Sequence, residues 1–525
     1  MDAYIYRSLQ FQVFKVRANK TMEFLLLLSM ITIILFLLLR KGKKNGGIHV
    51  PPGPPQLPLI GNIHQLNKSI LFRHLWELSK TYGPLMSLQL GSLPILVVSS
   101  AKMAREVLKT HDAAFAGRPP MVCFRKLSYN GLDIGLSPYS DNWREMRKIC
   151  ILHIFSSKRV QSFRSIREDE VSKMMRKIHK FTSESKPINL SEMLISFTNS
   201  VICKIALGKS YDDGVCGRSR FHEVLDEVQD LTGGFFFADY FPCMSWVDKL
   251  TGRSFRLERT FRALDVFFQE VIDEHLDEKS RKTGTKDIID VCLRLNNDGL
   301  SAIDLSMDHI KAVLMDIFTA GTHTNAITLI WAMTQLVKRP EAMKRIQEEV
   351  RNIAGDKGVI HETDLQNLPY LKAAVKETLR LHPPVPLLLP HETIEPCTIA
   401  GYKVHPKTVV YVNAWAIGRD PKSWEDPEKF FPERFLNNSI DFKGQDFELI
   451  PFGAGRRSCP GIHLGVVTVE LALANLICGF NWELPAATGI KNNEDIDTDV
   501  KPGISMQKKI PLRLLARKYV PWSYA

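Results

Sequence analysis

Residues 451–461 read Pro-Phe-Gly-Ala-Gly-Arg-Arg-Ser-Cys-Pro-Gly, and an apolar periodic segment follows them to about Cys478. Glycines at this density allow backbone conformations closed to other residues, so the loop can come close to a flat ligand. Cys459 precedes the N-terminus of the predicted helix, where the helix dipole and free N–H groups favour a thiolate. Arg457 is placed to neutralise an anionic group. The stretch therefore predicts a metal-binding thiolate, whereas a buried structural cysteine would explain only the Cys-Pro-Gly turn.

This loop resembles the haem-binding signature of the cytochrome P450 superfamily. The matched positions are Phe452, Gly455, Arg457, Cys459 and Gly461. The resemblance implies that Cys459 is the metal ligand of haem b, and that Phe452, Arg457 and Gly461 contact this cofactor. An axial thiolate pushes electron density onto iron and promotes O–O cleavage.

A second motif lies in the predicted helical stretch 376–380, where Glu377 and Arg380 are three residues apart on one face. A surface pair of this kind would contribute little to stability. Residues 430–435, Phe-Phe-Pro-Glu-Arg-Phe, add Arg434. The three side chains resemble the family's structural triad, which is buried near the haem. A buried charge triad tolerates no single deletion well.

Two further motifs carry haem contacts by resemblance. Trp143 and Arg147 lie one helical turn apart in Trp-Arg-Glu-Met-Arg, and the family's matching pair binds a haem propionate. His391 lies where the family often has an arginine that contacts a propionate. A histidine can still donate one hydrogen bond there.

The apolar pattern over 307–338 predicts a long helix that Ser306 caps and Pro340 stops. It resembles the family's oxygen-activating helix. The small Ala320 and Gly321 would let a ligand approach, and the Thr324 hydroxyl would donate a proton beside bound O2.

His323 and Asn325 depart from the family pattern, which usually has an acid before the threonine and Thr or Ser after it. Histidine can relay protons near neutral pH, which makes His323 a candidate catalytic residue beside Thr324. A histidine that points away and is hydrogen-bonded in the core is the alternative. If His323 relays protons, we expect His323→Asp to preserve the coupling of NADPH use to product.

The resemblance also implies an apolar substrate cavity and therefore a lipophilic small-molecule substrate, reached partly from the bilayer. The expected pocket residues are Phe318, Ala320, Gly321, Val385, Leu388 and Ile504.

The N-terminus predicts a membrane anchor in contact with lipid. Phe24 to Leu39 is apolar apart from Ser29 and Thr32, basic residues follow at once, and no small-residue cleavage site appears. We expect an extension over 1–21, a transmembrane anchor over 22–40, a basic and proline-rich hinge over 41–60, and a haem-binding catalytic domain over 61–525. Basic residues are balanced around the apolar run, so family resemblance decides the location: the endoplasmic reticulum membrane, with a single-pass anchor and a cytosolic catalytic domain.

The remaining pattern predicts a mainly α fold with a small β portion, in one catalytic domain of cytochrome P450 type. Helical spacing recurs near 158–182, 219–233 and 254–281, and strand-like stretches lie at 85–98 and 398–412. Nine widely spaced cysteines argue against a disulfide framework. Residues 1–44 carry +6 of the net charge of +12, so the basic balance does not indicate nucleic-acid binding.

The motifs together look like a plant microsomal (A-type) member. The resemblance implies a reaction that inserts one oxygen atom from O2 into a lipophilic small molecule, which we expect to be a plant specialised metabolite. Electrons would come from NADPH through NADPH-cytochrome P450 reductase, since no flavin motif is present. Arg144, Lys148 and Arg456 are candidates for its docking surface, or are ordinary solvated charges. A P450-fold isomerase or dehydratase that needs no reductase, and a non-catalytic haem-binding protein, remain alternatives.

Overall fold

A computed structural model describes residues 22–34, 50–66, 70–184, 186–210, 220–277, 287–297, 303–486 and 492–519. The fold is mainly helical, with strands gathered into three small sheets. The helices are α1 (Met22–Ile34), α2 (Leu71–Tyr82), α3 (Ala101–Arg105), α4 (Val122–Leu127), α5 (Asp141–Ile149), α6 (Ser157–Ser162), α7 (Arg164–Ser183), α8 (Leu190–Leu207), α9 (Arg220–Thr232), α10 (Phe237–Tyr240), α11 (Ser245–Leu250), α12 (Arg253–Leu276), α13 (Ile288–Asn297), α14 (Met307–Lys338), α15 (Pro340–Ala354), α16 (Pro369–Leu381), α17 (Ala414–Ile417) and α18 (Ile462–Gly479). The strands are β1 (Leu85–Leu90), β2 (Leu93–Val98), β3 (Ile188–Asn189), β4 (His391–Glu392), β5 (Cys397–Ile399), β6 (Tyr402–Val404), β7 (Val409–Val412), β8 (Phe480–Glu483) and β9 (Arg513–Lys518).

Helix α14 crosses the centre of the fold with the bounds that the sequence predicts. The Ser306 N–H donates to Nδ1 of His309 at 3.2 Å, which closes the first turn. The helix ends at Lys338, because Pro340 cannot continue its hydrogen-bond ladder and instead begins α15. Helices α8 and α18 pack against α14, so the long helix lies between the two other apolar helices of the core.

The largest sheet has the strand order β1-β2-β7-β4. β1 and β2 form an antiparallel hairpin, β7 runs parallel to β2, and β4 pairs antiparallel with β7. His391 lies opposite Val410 in this register, so the edge strand holds His391 against the body of the sheet. The predicted stretch 398–412 also contains the separate β5–β6 hairpin.

Two of the predicted helical stretches differ from the structure. Phe163 separates α6 from α7, so the stretch near 158–182 is not one continuous helix. Helix α12 ends at Leu276, and residues 278–281 of the predicted stretch lie outside the described residues.

The N-terminal helix α1 is apolar, and its large side chains are exposed. It covers residues 22–34 of the predicted anchor, while residues 1–21 and 35–40 lie outside the described residues. Within the described ranges, α8 and α18 are long and apolar enough to cross a membrane, whereas α1 is shorter. Because α8 and α18 are mostly buried, they are core helices, and the anchor over 22–40 stays a prediction.

The proline-rich segment docks on the sheet ten residues before the predicted start of the catalytic domain. The Ser87 N–H donates to the Pro52 carbonyl at 2.9 Å, and Ser87 Oγ donates to Pro51 at 2.7 Å. A Cβ on Gly53 would come within 2.0 Å of the Ser87 carbonyl oxygen. Residues 51–60 therefore belong to the folded body rather than to a free spacer.

Candidate active site

The cysteine loop folds back on itself before α18. The Cys459 N–H donates to the Phe452 carbonyl at 2.9 Å, and the Ser458 N–H donates to the Gly455 carbonyl at 3.1 Å. Gly455 has φ of +68°, and a Cβ there would lie 2.2 Å from the carbonyl oxygen of Leu108. A side chain at this position would therefore open the loop.

Cys459 lies deep in the fold, yet its surface faces open space. Burial raises the pKa of the Cys459 thiol above its ordinary value, while the Gly461 N–H and the charge of Arg147 lower that pKa. A bound metal ion would stabilise the thiolate directly, because coordination deprotonates a thiol.

Helix α14 has an exposed patch in its middle, although most of its side chains are buried. Ala320 and Thr324 keep accessible surface there, and Thr324 Oγ1 donates to the Ala320 carbonyl at 2.6 Å. Asn325 Nδ2 donates to the Gly321 carbonyl at 3.1 Å. Side-chain hydrogen bonds of this kind compete with the helix ladder and permit a local distortion.

The cysteine loop and this patch come together because α18 packs on α14. A Cβ on Gly465, in the first turn of α18, would meet Asn325 Oδ1 at 3.1 Å. Cys459 precedes this turn, so the packing of the two helices brings the cysteine loop towards the part of α14 that carries Thr324, and both residues keep accessible surface.

Arg457 is buried beside this space and is held by backbone carbonyls. It donates to Ala116 at 2.8 Å, to Ser137 at 2.8 Å and to Ile134 at 3.4 Å. Its guanidinium also lies over the Trp143 ring, 4.0 Å from the centroid. Burial and neighbouring arginines lower the pKa of Arg457 to about 8.

Trp143 and Arg147 lie on α5, next to this arginine. The Trp143 indole N–H donates to the Ile134 carbonyl at 3.0 Å, so the one donor expected to bind a propionate is engaged by the backbone. Arg147 donates to the Ser458 carbonyl at 2.6 Å, which places its charge next to the cysteine. Arg147 therefore places its charge beside Cys459 and Trp143 packs against Arg457, while their contacts with a propionate stay predictions.

His391 is fully buried, and Nδ1 lies 2.8 Å from the Phe115 carbonyl oxygen. Burial and the charges of Arg118 and Arg457 lower the pKa of His391 well below its usual range, so the ring is neutral. The single proton of a neutral ring lies on Nδ1, because a carbonyl can only accept. His391 then offers an acceptor rather than the expected donor, which corrects its predicted role as a propionate donor.

Sequence reasoning missed Arg118, a buried arginine of the same cluster. It donates to the carbonyls of Gly135, Leu389 and Pro390 at 2.9–3.0 Å. Burial and the positive charge of Arg147 lower the pKa of Arg118 to about 10, although the negative charge of Asp133 raises it. Its position in Phe-Ala-Gly-Arg-Pro gave no helical or pair pattern that could have identified it.

The cluster has more positive charge than its surroundings balance. Arg147 lowers the pKa of Arg118, and Arg118 and Arg147 both lower the pKa of Arg457. Burial raises the pKa of the nearby carboxyl Asp133. Buried charges normally carry partners. A dianionic ligand such as the two propionates of haem would supply them, so these residues and the Cys459 thiol fit haem as a ligand.

The predicted triad is assembled in the core. Glu377 accepts two hydrogen bonds from Arg380 at 2.7 and 2.8 Å, and one from Arg434 at 3.1 Å. It also accepts the Phe431 N–H at 2.8 Å. Glu377 and Arg380 have fully buried side chains, which distinguishes them from a surface pair.

His323 is buried and turned towards α9, with Nε2 2.9 Å from Asp226 Oδ1. Among the described residues, its Nδ1 has no hydrogen-bond partner. A cleft of about 280 Å³ borders His323, Trp331 and Lys508 on the side of α8. This geometry favours the reading in which His323 points away from the patch around Thr324.

Two expected pocket residues face the core instead. Phe318 is fully buried, with its ring centroid 5.0 Å from that of Phe221 and 5.8 Å from that of Phe268. A Cβ on Gly321 would lie 2.7 Å from the Ile202 side chain, so this glycine lets α8 approach α14. Phe318 therefore faces no open space, which argues against its predicted pocket role, whereas Gly321 is half-buried and its pocket role stays a prediction.

For the other expected pocket residues, the pocket role stays a prediction. Ala320 is exposed, and Val385 and Ile504 are half-buried. Leu388 is buried, has φ of +52° and lies against Gly453 of the cysteine loop. All four side chains are apolar, as the predicted lipophilic pocket requires.

An accessible thiol beneath a long helix, with a surplus of buried arginine charge, defines a haem-thiolate type of site. Comparison with known proteins agrees, since the Cytochrome P450 family pattern matches residues 51–509. The chain is 49% identical to 6,7,8-trihydroxycoumarin synthase of Pastinaca sativa, over 92% of this chain and 96% of the relative. It is 47% identical to Cytochrome P450 71A1 of Persea americana, over 94% and 99% of the two chains.

A solved zebra fish cytochrome P450 with progesterone has a TM-score of 0.70 and 26% identity, covering 85% of this chain and 99% of its own. The chain belongs to the cytochrome P450 family, and its plant relatives are A-type members. It is therefore a monooxygenase of a haem-containing family, in agreement with the fold and class predicted from the sequence.

Proposed function

We propose that this chain binds haem b through Cys459 and inserts one atom of O2 into a lipophilic plant specialised metabolite. The observation that carries the proposal is the accessible Cys459 thiol beside the half-buried Arg147, with the buried Arg118 and Arg457 in the same cluster. Haem held by the Cys459 thiolate would supply the oxygen-activating chemistry. The relative from Pastinaca sativa, named for a hydroxylated coumarin, supports a substrate of plant specialised metabolism.

The chain's own residues position the cofactor and the proton donor. Arg118, Arg147 and Arg457 would pair with propionates, and Phe452 and Gly461 would shape the loop around the sulfur. Thr324 Oγ1 now donates to the Ala320 carbonyl, and it can turn this proton towards a ligand in the open patch. Apolar walls exclude bulk water from the substrate.

Electrons are proposed to come from NADPH through NADPH-cytochrome P450 reductase. Arg456 pairs with Asp112 at 2.8 Å and Lys148 pairs with Glu145 at 3.3 Å, both at the surface. Exposed pairs contribute little, so these cations can exchange their partners for acidic groups of a reductase. We propose that α1 anchors the catalytic domain to the cytosolic side of the endoplasmic reticulum.

The deciding experiment combines a ligand spectrum with isotope labelling. Reduced wild-type protein with carbon monoxide should show the absorption band of thiolate-ligated haem, and Cys459→Ala should lose it. Cys478→Ala, a buried thiol in α18, is the matched control and should keep the band. Retention of an unaltered band by Cys459→Ala would overturn the proposal.

Labelled O2 separates this reaction from its alternatives. With reductase and NADPH, the product should carry one labelled oxygen atom. Unlabelled product formed equally well without NADPH would indicate an isomerase or dehydratase. Binding without NADPH consumption would indicate a non-catalytic haem-binding protein.

A further inference from the structure

A polar junction at Gln229 interrupts the apolar wall of the pocket. Gln229 Nε2 donates to the Thr319 carbonyl of α14 at 3.0 Å, and Ser505 Oγ donates to Gln229 Oε1 at 3.4 Å. Three elements therefore meet at one side-chain amide: α9, α14 and the C-terminal loop around Ile504.

This junction adjoins two of the expected pocket residues. Thr319 directly precedes Ala320, whose surface is exposed inside the fold, and Ser505 directly follows the half-buried Ile504. One turn beyond Gln229, a Cβ on Gly233 would lie 2.8 Å from the Ile504 nitrogen. The C-terminal loop is thus pressed between α9 and the pocket.

The same loop is fixed on its other side. The Met506 N–H donates to the Pro384 carbonyl at 2.8 Å, and Trp331 Nε1 donates to the Met506 carbonyl at 2.7 Å. These bonds hold Ile504 next to Val385, another expected pocket residue. The amide of Gln229 consequently has a defined place at the pocket rim.

The side-chain amide of Gln229 has hydrogen-bonding groups left over for a ligand. A primary amide has two N–H donors and an oxygen with two lone pairs. The two contacts described use one N–H and one lone pair, and Gln229 is half-buried rather than open to bulk water. A ligand that covers it must satisfy the remaining groups or leave them unpaired at a cost.

We infer that Gln229 is a specificity-determining residue that selects substrates bearing a hydroxyl or carbonyl oxygen over hydrocarbons of the same size. This inference rests on the proposed function, because the ligand must occupy the substrate cavity. A hydroxyl can donate to the free lone pair, and a carbonyl can accept the free N–H. An all-hydrocarbon ring of the same size satisfies neither group.

The test uses ferric holoprotein and two bicyclic probes, 7-hydroxycoumarin and naphthalene, with the shift of the haem absorption band as the binding signal. Gln229→Leu should weaken 7-hydroxycoumarin binding about tenfold and leave naphthalene binding unchanged or tighter. Ser505→Ala removes one bond that orients the amide, so it should weaken 7-hydroxycoumarin binding by a smaller factor. Gln269→Leu, on the exposed face of α12, is the matched control and should alter neither probe.

Several results would overturn the inference. Equal losses for both probes in Gln229→Leu would make the amide a purely structural bridge, and unchanged affinities would make it irrelevant. Tighter binding of naphthalene than of 7-hydroxycoumarin by the wild type would refute the substrate class. The carbon monoxide band is recorded on the same samples, so failure of the haem-thiolate proposal would be seen separately as its loss from the wild type.

Discussion

Replacing His323 with aspartate is expected to destabilise the holoprotein, because the new carboxylate would lie opposite Asp226. His323 Nε2 and Asp226 Oδ1 are 2.9 Å apart, and the His323 side chain is only 3% exposed. Two like charges about 5 Å apart repel by roughly 3 kcal/mol at an effective dielectric constant of about 20. The Asp226 side chain is 35% exposed, and solvent screening reduces the expected loss to about 1–2 kcal/mol.

The measurement is a denaturant titration of haem absorbance for four proteins: wild type, His323→Asp, Asp226→His and the double variant. The double variant restores an opposite pair with its polarity reversed, so it should recover at least half of the loss. NADPH consumption and product are measured on the same set. Coupling that falls in His323→Asp and returns in the double variant would tie the pair to turnover.

The reasoning is refuted if His323→Asp is as stable as the wild type, or if the double variant is no more stable than the worse single variant. Either result would mean that α9 and α14 do not meet through these two side chains. Because His323 pairs with Asp226, His323→Asp changes this ion pair as well as any proton relay, so the stability measurement must accompany the test of coupling.

Two further predictions concern buried carboxyl groups. Glu377→Ala leaves Arg380 buried without its carboxylate, so the free energy of unfolding in denaturant titrations should fall by about 3–5 kcal/mol. The control Glu483→Ala removes an exposed pair with Arg517 and should lower it by under about 1 kcal/mol. Similar losses for the two variants would contradict the buried triad. Burial raises the pKa of Glu470 to about 7. The folded state therefore keeps a proton that the unfolded state loses above about pH 4.5. As the pH rises from about 4.5 to about 7, the free energy of unfolding falls. Glu470→Gln should therefore be more stable than the wild type by about 2 kcal/mol at pH 8 and equal to it near pH 4, and a difference independent of pH would count against this assignment.

The sequence by itself determined the features that depend on local chemistry. Helix α14 begins and ends at its predicted residues, because Ser306 and Pro340 act within one turn of its ends. The Cys459 loop and the pair Glu377 and Arg380 can be predicted from the sequence for the same reason, because their geometry depends on spacing along a single turn or helix.

Only the tertiary structure decided which partners distant residues meet. Asp226 reaches His323 across 97 positions of sequence, and Arg118 reaches Leu389 across 271. The sequence pattern predicts Phe318 in the pocket, whereas its ring packs against Phe221. A helical pattern gives the spacing of residues along a helix, but it does not show which element each face of the helix contacts. Those contacts depend on how α8, α9 and α14 pack, which is a global balance of burial that no short motif encodes.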